Sequence, residues 1–245
     1  MKIDKRYCGP RAMANGGYAA GLFASVIHGP AEVTLKAPAR FDVKIAFDPD
    51  EEEYGRFRVF AGEAEIAAVR PGAVEIDPPP LPPDDAIAAG RAAYIRDEGM
   101  TLVYPYCFVC GKRRMEGDGL RIFAGPASDS AVNADFWTPA DNLAGEDGLV
   151  RAEYLWAALD CPGAFTLRLG AQPVLLGRFT AEIKRRPAPG ENLLVAAWKT
   201  GAEGRKHFSS SALYDEDRAV IAAANAVWIE INDPALVERL AQENA

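Results

Sequence analysis

Two residue types that bind metals or catalyse reactions in many enzymes are scarce in this sequence. It has only two histidines and four cysteines among its 245 residues. So few cysteines do not make a disulfide scaffold, which favours a reducing compartment, and we predict the cytoplasm. Cys107 and Cys110 form one C-x-x-C pair, but a structural zinc site usually needs four ligands. A metal would require Cys8 and Cys161 to converge on this pair. We therefore expect a packed turn here, with no metal and no cofactor.

An excess of positive charge is also missing. Lys and Arg number 27 against 35 Asp and Glu, which gives a net charge of −8 and a pI near 5.0. Proteins that bind nucleic acids in general use Lys and Arg to neutralise phosphates. The balance therefore argues against a nucleic-acid partner, although a local basic cluster can still meet a small phosphorylated ligand.

Long hydrophobic runs and several well-known enzyme motifs are absent as well. The apolar stretch 18–27 is too short to span a bilayer, and Asn15-Gly16-Gly17 interrupts it, so we expect neither a signal peptide nor a membrane partner. There is no G-x-S-x-G, no Walker A loop and no G-x-G-x-x-G. These absences argue against a serine α/β-hydrolase and against a P-loop or dinucleotide-binding enzyme.

What the chain does contain is a repeated order of elements on either side of a Pro-rich segment, DPPPLPPDD at 77–85. Each half has a helix followed by alternating stretches rich in Val, Ile and Phe, and 67–76 matches 222–231 at four of ten positions. This order predicts an α+β fold with an antiparallel sheet wrapped round a central helix in each half. Predicted helices are 17–27, 84–96, 153–169 and a short one at the C-terminus. Predicted strands lie in 31–47, 56–69, 72–76, 119–125, 131–137, 179–198 and 207–231.

Four segments carry a resemblance to a known family: NGGYAAGLFA (15–24), CFVCGKRRMEGDGLRIF (107–123), EYLWAALDCPGAF (153–165) and LLGRFTAEI (175–183). They resemble bacterial tandem hotdog-fold proteins of the thioesterase-like superfamily, many of which are acyl-CoA thioesterases. The resemblance implies a double hotdog that forms a pseudo-dimer, with a further homo-oligomer left open. The implied division is an N-terminal module at 1–78, a linker and connecting helix at 79–103, a C-terminal module at 104–233, and a tail at 234–245.

The resemblance also implies site residues. Hotdog thioesterases often have an acidic residue in the central helix, which matches Asp160, and a Gly-Gly pair at a helix start, which matches Asn15-Gly16-Gly17. Each feature occurs in one half only, so one site is expected. A catalytic amide on the last long strand matches Asn225. The family's hydroxyl position falls near Gly177, which has none, and Thr180 or Ser209–Ser211 are possible substitutes.

The residues themselves leave alternatives open. Asp160 acts either as a general base that activates water or as the cap of a new helical segment before Cys161-Pro162. Asn15 acts either in the site or as an ordinary N-cap, with the glycines giving tight packing or donors for an oxyanion. The triplets Lys112-Arg113-Arg114 and Lys184-Arg185-Arg186 are either phosphate contacts for coenzyme A or solvated surface, and the resemblance favours the second triplet.

Together these points predict an acyl-CoA thioesterase in which Asp160 activates water and a helix N-terminus polarises the thioester carbonyl. The alternative is a non-catalytic hotdog protein that binds acyl-CoA or lipid. A hotdog dehydratase would need a catalytic histidine paired with an acid. Neither His28 nor His207 stands in such a pattern.

Overall fold

A computed structural model describes residues 1–97, 104–127, 130–169 and 173–244. Residues 98–103, which belong to the predicted linker, therefore lie outside the described residues, as does residue 245 of the predicted tail. No helix within the described ranges is both long enough and apolar enough to cross a membrane.

Ten strands of the described residues form one sheet in which every neighbouring pair is antiparallel. Their order across the sheet is β2-β3-β4-β1-β7-β10-β9-β8-β6-β5. The alternating, β-branched stretches of the sequence supply most of them, as expected for strands with one buried face. The strands are β1 Ala31–Leu35, β2 Ile45–Pro49, β3 Phe57–Ala61, β4 Ala64–Pro71, β5 Gly125–Pro126, β6 Val132–Trp137, β7 Val174–Ile183, β8 Leu193–Glu203, β9 Lys206–Tyr214 and β10 Val220–Glu230.

The strand order confirms the internal repeat. Reading outwards from the β1–β7 seam, β4, β3 and β2 on one side correspond to β10, β9 and β8 on the other. The two sequence segments that resemble each other, 67–76 and 222–231, begin in β4 and β10, which occupy equivalent places. The sheet is continuous across the seam, and we propose the modules 1–78 and 104–233 as the two halves of this arrangement.

In the described ranges four α-helices accompany the sheet, and the predicted helix at 84–96 has the predicted bounds. They are α1 Gly16–Ala24, α2 Asp84–Arg96, α3 Ala152–Phe165 and α4 Pro234–Asn244. Two short 3-10 helices lie at Lys5–Tyr7 and Asp141–Leu143. α1 and α3 are the central helices of the two halves, and their apolar side chains join the largest core cluster against the sheet.

Glycines allow the two central helices to touch. A Cβ on Gly17 would lie 2.4 Å from the Cβ of Asp160, and one on Gly21 would lie 2.7 Å from the Cβ of Trp156. Both distances are too short for real atoms, so only glycine permits this crossing. The one-turn spacing of the two glycines puts them on the same face of α1.

The predicted strand at 72–76 is wrong, because this segment has no strand pairing. It runs over the outer face of the C-terminal half, where Ile76 and Leu81 pack with Ile87 of α2 against the sheet. The carbonyl of Glu75 accepts a bond from the Asn225 side chain (3.1 Å) instead of a strand neighbour. The alternating sequence pattern of this segment fits an extended chain that packs one side on the sheet as well as it fits a strand.

The predicted strand at 119–125 is also largely wrong, since only Gly125 belongs to a strand, the two-residue β5. The N–H groups of Leu120 and Ile122 donate to the carbonyls of Phe108 (2.8 Å) and Val109 (2.9 Å). These bonds attach the segment to the C-x-x-C turn rather than to the sheet. The turn is therefore held in place by main-chain bonds from a second segment.

Candidate active site

Asp160 lies inside α3, with only 3% of its surface exposed. The helix continues through Pro162 to Phe165, although proline has no N–H to donate to the preceding turn. The interpretation of Asp160 as the cap of a new helical segment is therefore wrong. Instead, its carboxylate meets the N-terminus of α1, where the two helices cross.

One oxygen of the carboxylate is held by two donors and the other is free. Asn15 Nδ2 donates to Asp160 Oδ2 (2.7 Å), and so does the backbone N–H of Gly17 (3.0 Å). Asp160 Oδ1 is buried and has no hydrogen-bond partner among the described residues. A buried polar atom without a partner costs free energy, and in native structures such an atom is often kept for function.

Burial raises the pKa of Asp160 to about 7, because the charged carboxylate loses its hydration. The bond from Gly17 opposes this rise, the neighbouring Cys107 adds to it, and the bond from Asn15 opposes it. A carboxylate with a pKa near neutrality is well suited to take and return a proton.

The raised pKa gives a stability prediction for the reduced, metal-free chain. In the unfolded chain Asp160 returns to its ordinary pKa of 3.8, so the fold favours the protonated form. The stabilisation that protonated Asp160 contributes is complete below about pH 4. It is lost as pH rises through about 7, which lowers the free energy of unfolding by on the order of 4 kcal/mol. Urea titrations of wild type and Asp160→Asn from pH 4 to 8 measure it. The variant should gain stability relative to wild type as pH rises, and a constant difference would contradict the prediction.

Asp160 lines a cavity of about 850 Å³ between the central helices and the sheet. Asp160 and Asn15 stand in its wall. Most of the remaining wall is apolar, with side chains from α1, α3 and β7 and from the segment after β1. The apolar residues include Ala19, Leu35, Ala37, Ala164, Phe165, Leu175, Leu176 and Trp228. The cavity thus combines an apolar space with one ionisable group.

The N-terminus of α1 also reaches this cavity, and Asn15 both caps the helix and contacts Asp160. Asn15 Oδ1 caps the helix by accepting from the Tyr18 N–H (2.9 Å), while its amide nitrogen holds Asp160. Gly16 lines the cavity, and its N–H has no acceptor among the described residues. A free N–H at a helix N-terminus attracts negative charge.

Comparisons with known proteins agree with this architecture. No protein-family model and no curated protein matches the sequence. Among solved structures, a conserved hotdog-fold protein of unknown function from Alicyclobacillus acidocaldarius superposes with a TM-score of 0.57 at 14% identity, over 95% of this chain and 92% of the other. An acyl-CoA thioesterase II from Mycobacterium marinum superposes with a TM-score of 0.56 at 12% identity, over 94% and 91% of the two chains.

The chain has a double hotdog fold. The two halves, the continuous antiparallel sheet and the paired central helices confirm the fold expected from the sequence. At these identities the likeness establishes the fold alone, and the chemistry has to be argued from the residues of this double hotdog.

The structure does not bring Asn225 to Asp160. Asn225 lies on the outer face of β10, where it accepts from Ser210 Oγ (2.7 Å) and donates to the carbonyl of Glu75, in the segment that follows β4. Its neighbours on the strand, Ala224 and Ala226, belong to the inner core. Since side chains alternate along a strand, the Asn225 amide points away from the face on which Asp160 lies. We therefore leave Asn225 out of the proposed site.

The suggested hydroxyl substitutes do not reach the carboxylate either. Ser211 Oγ donates to the carbonyl of Leu159 (2.7 Å), and Ser209 Oγ accepts from the Trp228 indole N–H (2.9 Å). Thr180 is opposite Asn225 in the β7–β10 ladder. Ser211 therefore holds α3 against β9, and the Ser209 bond joins β9 to β10 within the sheet.

The favoured basic triplet, Lys184-Arg185-Arg186, does not line the cavity. Arg185 pairs with Glu191 (2.8 Å) and Arg186 makes a two-bond pair with Asp147 (2.8 and 3.0 Å). Lys184 is exposed at the end of β7. The two arginines therefore form ion pairs with carboxylates of nearby loops.

The first triplet is no closer to a phosphate site. Arg114 is buried and donates to Asp118, to backbone carbonyls and to the Cys8 sulphur. Arg113 donates to the Tyr106 hydroxyl (3.2 Å), and Lys112 donates to the carbonyl of Ile95 (3.3 Å). The triplet is a structural part of the loop around the C-x-x-C turn.

Sequence reasoning missed a cation that does border the cavity. Arg168 follows the C-terminus of α3, is exposed, and has no carboxylate partner among the described residues. Lys36, also in the wall, pairs with Glu65. A lone arginine just after a helix gives no local sequence signal, because its relevance depends on where the helix ends in space.

Proposed function

We propose that this double hotdog is an acyl-CoA thioesterase, with Asp160 as the general base. The observation that carries the proposal is Asp160 itself: a buried residue in the wall of a mostly apolar cavity, with one carboxylate oxygen held by two donors and the other without a partner. Thioester hydrolysis needs a base beside a space for an acyl chain, and this site supplies both.

In this mechanism Asn15 and Gly17 fix Asp160 Oδ2, so that Oδ1 faces a water molecule in the cavity. The water oxygen attacks the thioester carbonyl carbon while Oδ1 takes its proton. The Gly16 N–H, at the N-terminus of α1, stabilises the negative charge on the carbonyl oxygen. When the carbon–sulphur bond breaks, the proton on Oδ1 passes to the leaving thiolate, and the products are a carboxylic acid and a thiol.

The cavity supports a substrate with a sizeable acyl group. About 850 Å³ falls in the upper part of the range of sites for small ligands, roughly 300–1,000 Å³. Its mostly apolar wall favours an alkyl or aromatic acyl group over a charged one.

Arg168 is the cation best placed for the phosphates of coenzyme A. We expect Arg168→Ala to raise KM for an acyl-CoA about 10-fold with kcat nearly unchanged, because the lost contact is far from the reacting carbon. The same acyl group on pantetheine, which lacks the nucleotide phosphates, should show no change. Steady-state kinetics on both substrates measure this.

The matched control is Arg185→Ala, which removes an arginine paired with Glu191 outside the cavity wall. It should leave both KM values unchanged. An equal rise in KM for Arg168→Ala and Arg185→Ala would assign the effect to net charge, and no rise for Arg168→Ala would remove Arg168 from the substrate site.

The deciding experiment is release of free thiol from acyl-CoAs with short, medium, long and aromatic acyl groups. An enzyme releases thiol from at least one of them. The alternative function is that of a non-catalytic acyl-CoA or lipid-binding protein. Such a protein releases no thiol but is stabilised against heating by the ligand it binds. Folded wild-type protein that shows neither release nor stabilisation would overturn both.

A further inference from the structure

Three cysteines from two distant parts of the chain meet in the wall of the cavity. The sulphur atoms of Cys107, Cys110 and Cys161 all lie within 4.8 Å of one another, and Cys107 and Cys161 are 3.6 Å apart. Cys8, which the sequence suggested as a fourth member, is not in the group: its sulphur contacts Tyr106 and Arg114 instead. The three thiols therefore form a cluster of their own.

The spacing of this cluster suits a tetrahedral metal ion. Zinc–sulphur bonds of about 2.3 Å place two sulphur ligands roughly 3.8 Å apart. The Cys107–Cys161 sulphur distance of 3.6 Å is close to that value. No two of the three sulphur atoms are more than 4.8 Å apart, so the Cys110 sulphur would have to move by about 1 Å at most. Soft thiolate ligands in this geometry favour zinc over magnesium or calcium.

The loop around Cys107 is shaped to stabilise a thiolate. Hydrogen bonds from the Cys110 and Cys161 thiols lower the pKa of Cys107 most, and bonds from the backbone of Cys110 and Val109 lower it further, whereas the same contacts with Cys107 raise the pKa of Cys110 and Cys161 in the metal-free chain. Gly111 closes the turn, where a Cβ would lie 2.5 Å from the Cys107 carbonyl oxygen. Successive N–H groups that point at one sulphur are a recurrent feature of metal-binding turns.

Two further polar groups adjoin the cluster. The hydroxyl oxygen of Tyr104 is buried without a hydrogen-bond partner among the described residues, and Tyr104 lines the same cavity. Asn15 Nδ2 lies 3.9 Å from the Cys107 sulphur and 3.7 Å from that of Cys161. A neutral thiol is a weak acceptor, whereas a metal-bound thiolate accepts strongly from such donors.

We propose that Cys107, Cys110 and Cys161 bind one zinc ion through three thiolates, with the fourth coordination position open to the cavity. On binding, each thiol releases its proton to solvent, and the ion forms three zinc–sulphur bonds. No His, Asp or Glu of the described residues completes the group, so an exchangeable ligand takes the fourth position. The ion links the loop at 107–110 to α3 beside Asp160.

The test uses full-length protein, purified with a phosphine reductant, treated with a chelator and then dialysed against Zn²⁺ followed by metal-free buffer. We expect about one zinc per chain by elemental analysis. Replacement by Co²⁺ should give the charge-transfer absorption of thiolate ligands and visible bands of tetrahedral cobalt. These readouts do not depend on thioester hydrolysis, so they succeed or fail independently of the proposed enzyme function.

Cys107→Ser and Cys161→Ser should each lower the retained zinc at least ~10-fold, since each removes one of three ligands. Cys8→Ser, a buried cysteine outside the group, is the matched control and should keep it. Absence of zinc and of cobalt bands in the reduced, folded wild type would overturn the proposal. So would equal zinc in the wild type and both ligand variants, and the wild-type result stands even if a variant fails to fold.

Discussion

Replacing Asp160 by Asn should lower kcat for acyl-CoA hydrolysis by about 10²- to 10⁴-fold, the usual contribution of a general base. The amide has nearly the shape of the carboxylate. Its oxygen can still accept from Asn15 Nδ2 and the Gly17 N–H, as Asp160 Oδ2 does now. Its NH₂ group then takes the place of the free Oδ1, and it cannot accept a proton from water.

KM and ligand-induced stabilisation should stay within about threefold of wild type, because the cavity wall is otherwise unchanged. Steady-state thiol release and thermal melting with the same acyl-CoA separate the two effects. This pattern, lost turnover with retained binding, distinguishes a base from a residue that shapes the pocket.

The matched control is Asp135→Asn, a second fully buried aspartate that pairs with Arg91 and does not line the cavity. It should lower stability, since Arg91 loses its partner, but not kcat per folded molecule. Unchanged turnover in Asp160→Asn would remove Asp160 from the chemistry and leave it as a packing residue between the helices.

Gly17→Ala should destabilise the fold by about 3 kcal/mol, at the upper end of the usual cost of overpacking. The new methyl group would lie 2.4 Å from Asp160 Cβ and 2.7 Å from the carbonyl oxygen of Trp156. A backbone oxygen cannot rotate away, so the two helices must separate. The separation also pulls the Gly17 N–H from Asp160, so turnover should fall as well.

Gly16→Ala is the neighbouring control. The three atoms nearest to its methyl group would all belong to the Leu176 side chain, the first at 3.1 Å, and a leucine can shift by a few tenths of an ångström. We expect a change within about 1 kcal/mol, helped by the higher helix propensity of alanine. Urea denaturation of both variants measures the difference. Equal stabilities would show that the two central helices can move apart at little cost in free energy.

Much of this architecture is readable from local patterns. Asn15 before two glycines indicates the start of α1, and the apolar spacing around Leu155 and Leu159 indicates the helix that carries Asp160. The repeat of 67–76 at 222–231 gives the two halves. Each of these signals depends on neighbours in sequence, and the structure has the corresponding helices and strands.

Other features depend on pairing between distant segments, and the sequence leaves them open. The inner or outer face of Asn225 follows from the register of β10 against β7 and β9, where a shift of one residue reverses every side chain. Arg185 and Arg186 look like free cations until the fold brings Glu191 and Asp147 to them.

The sequence by itself determined the order of two similar halves and their central helices, because hydrophobic period and capping chemistry act over a few residues, and its resemblance to a known family implied the double hotdog. Only the tertiary structure decided which oxygen of Asp160 is free, that Cys161 joins Cys107 and Cys110, and that Arg168 borders the cavity. The physical reason is distance along the chain. Asn15 and Asp160 are 145 residues apart, and Cys107 and Cys161 are 54 apart. No local rule connects residues so far apart until packing of the two helices brings them together.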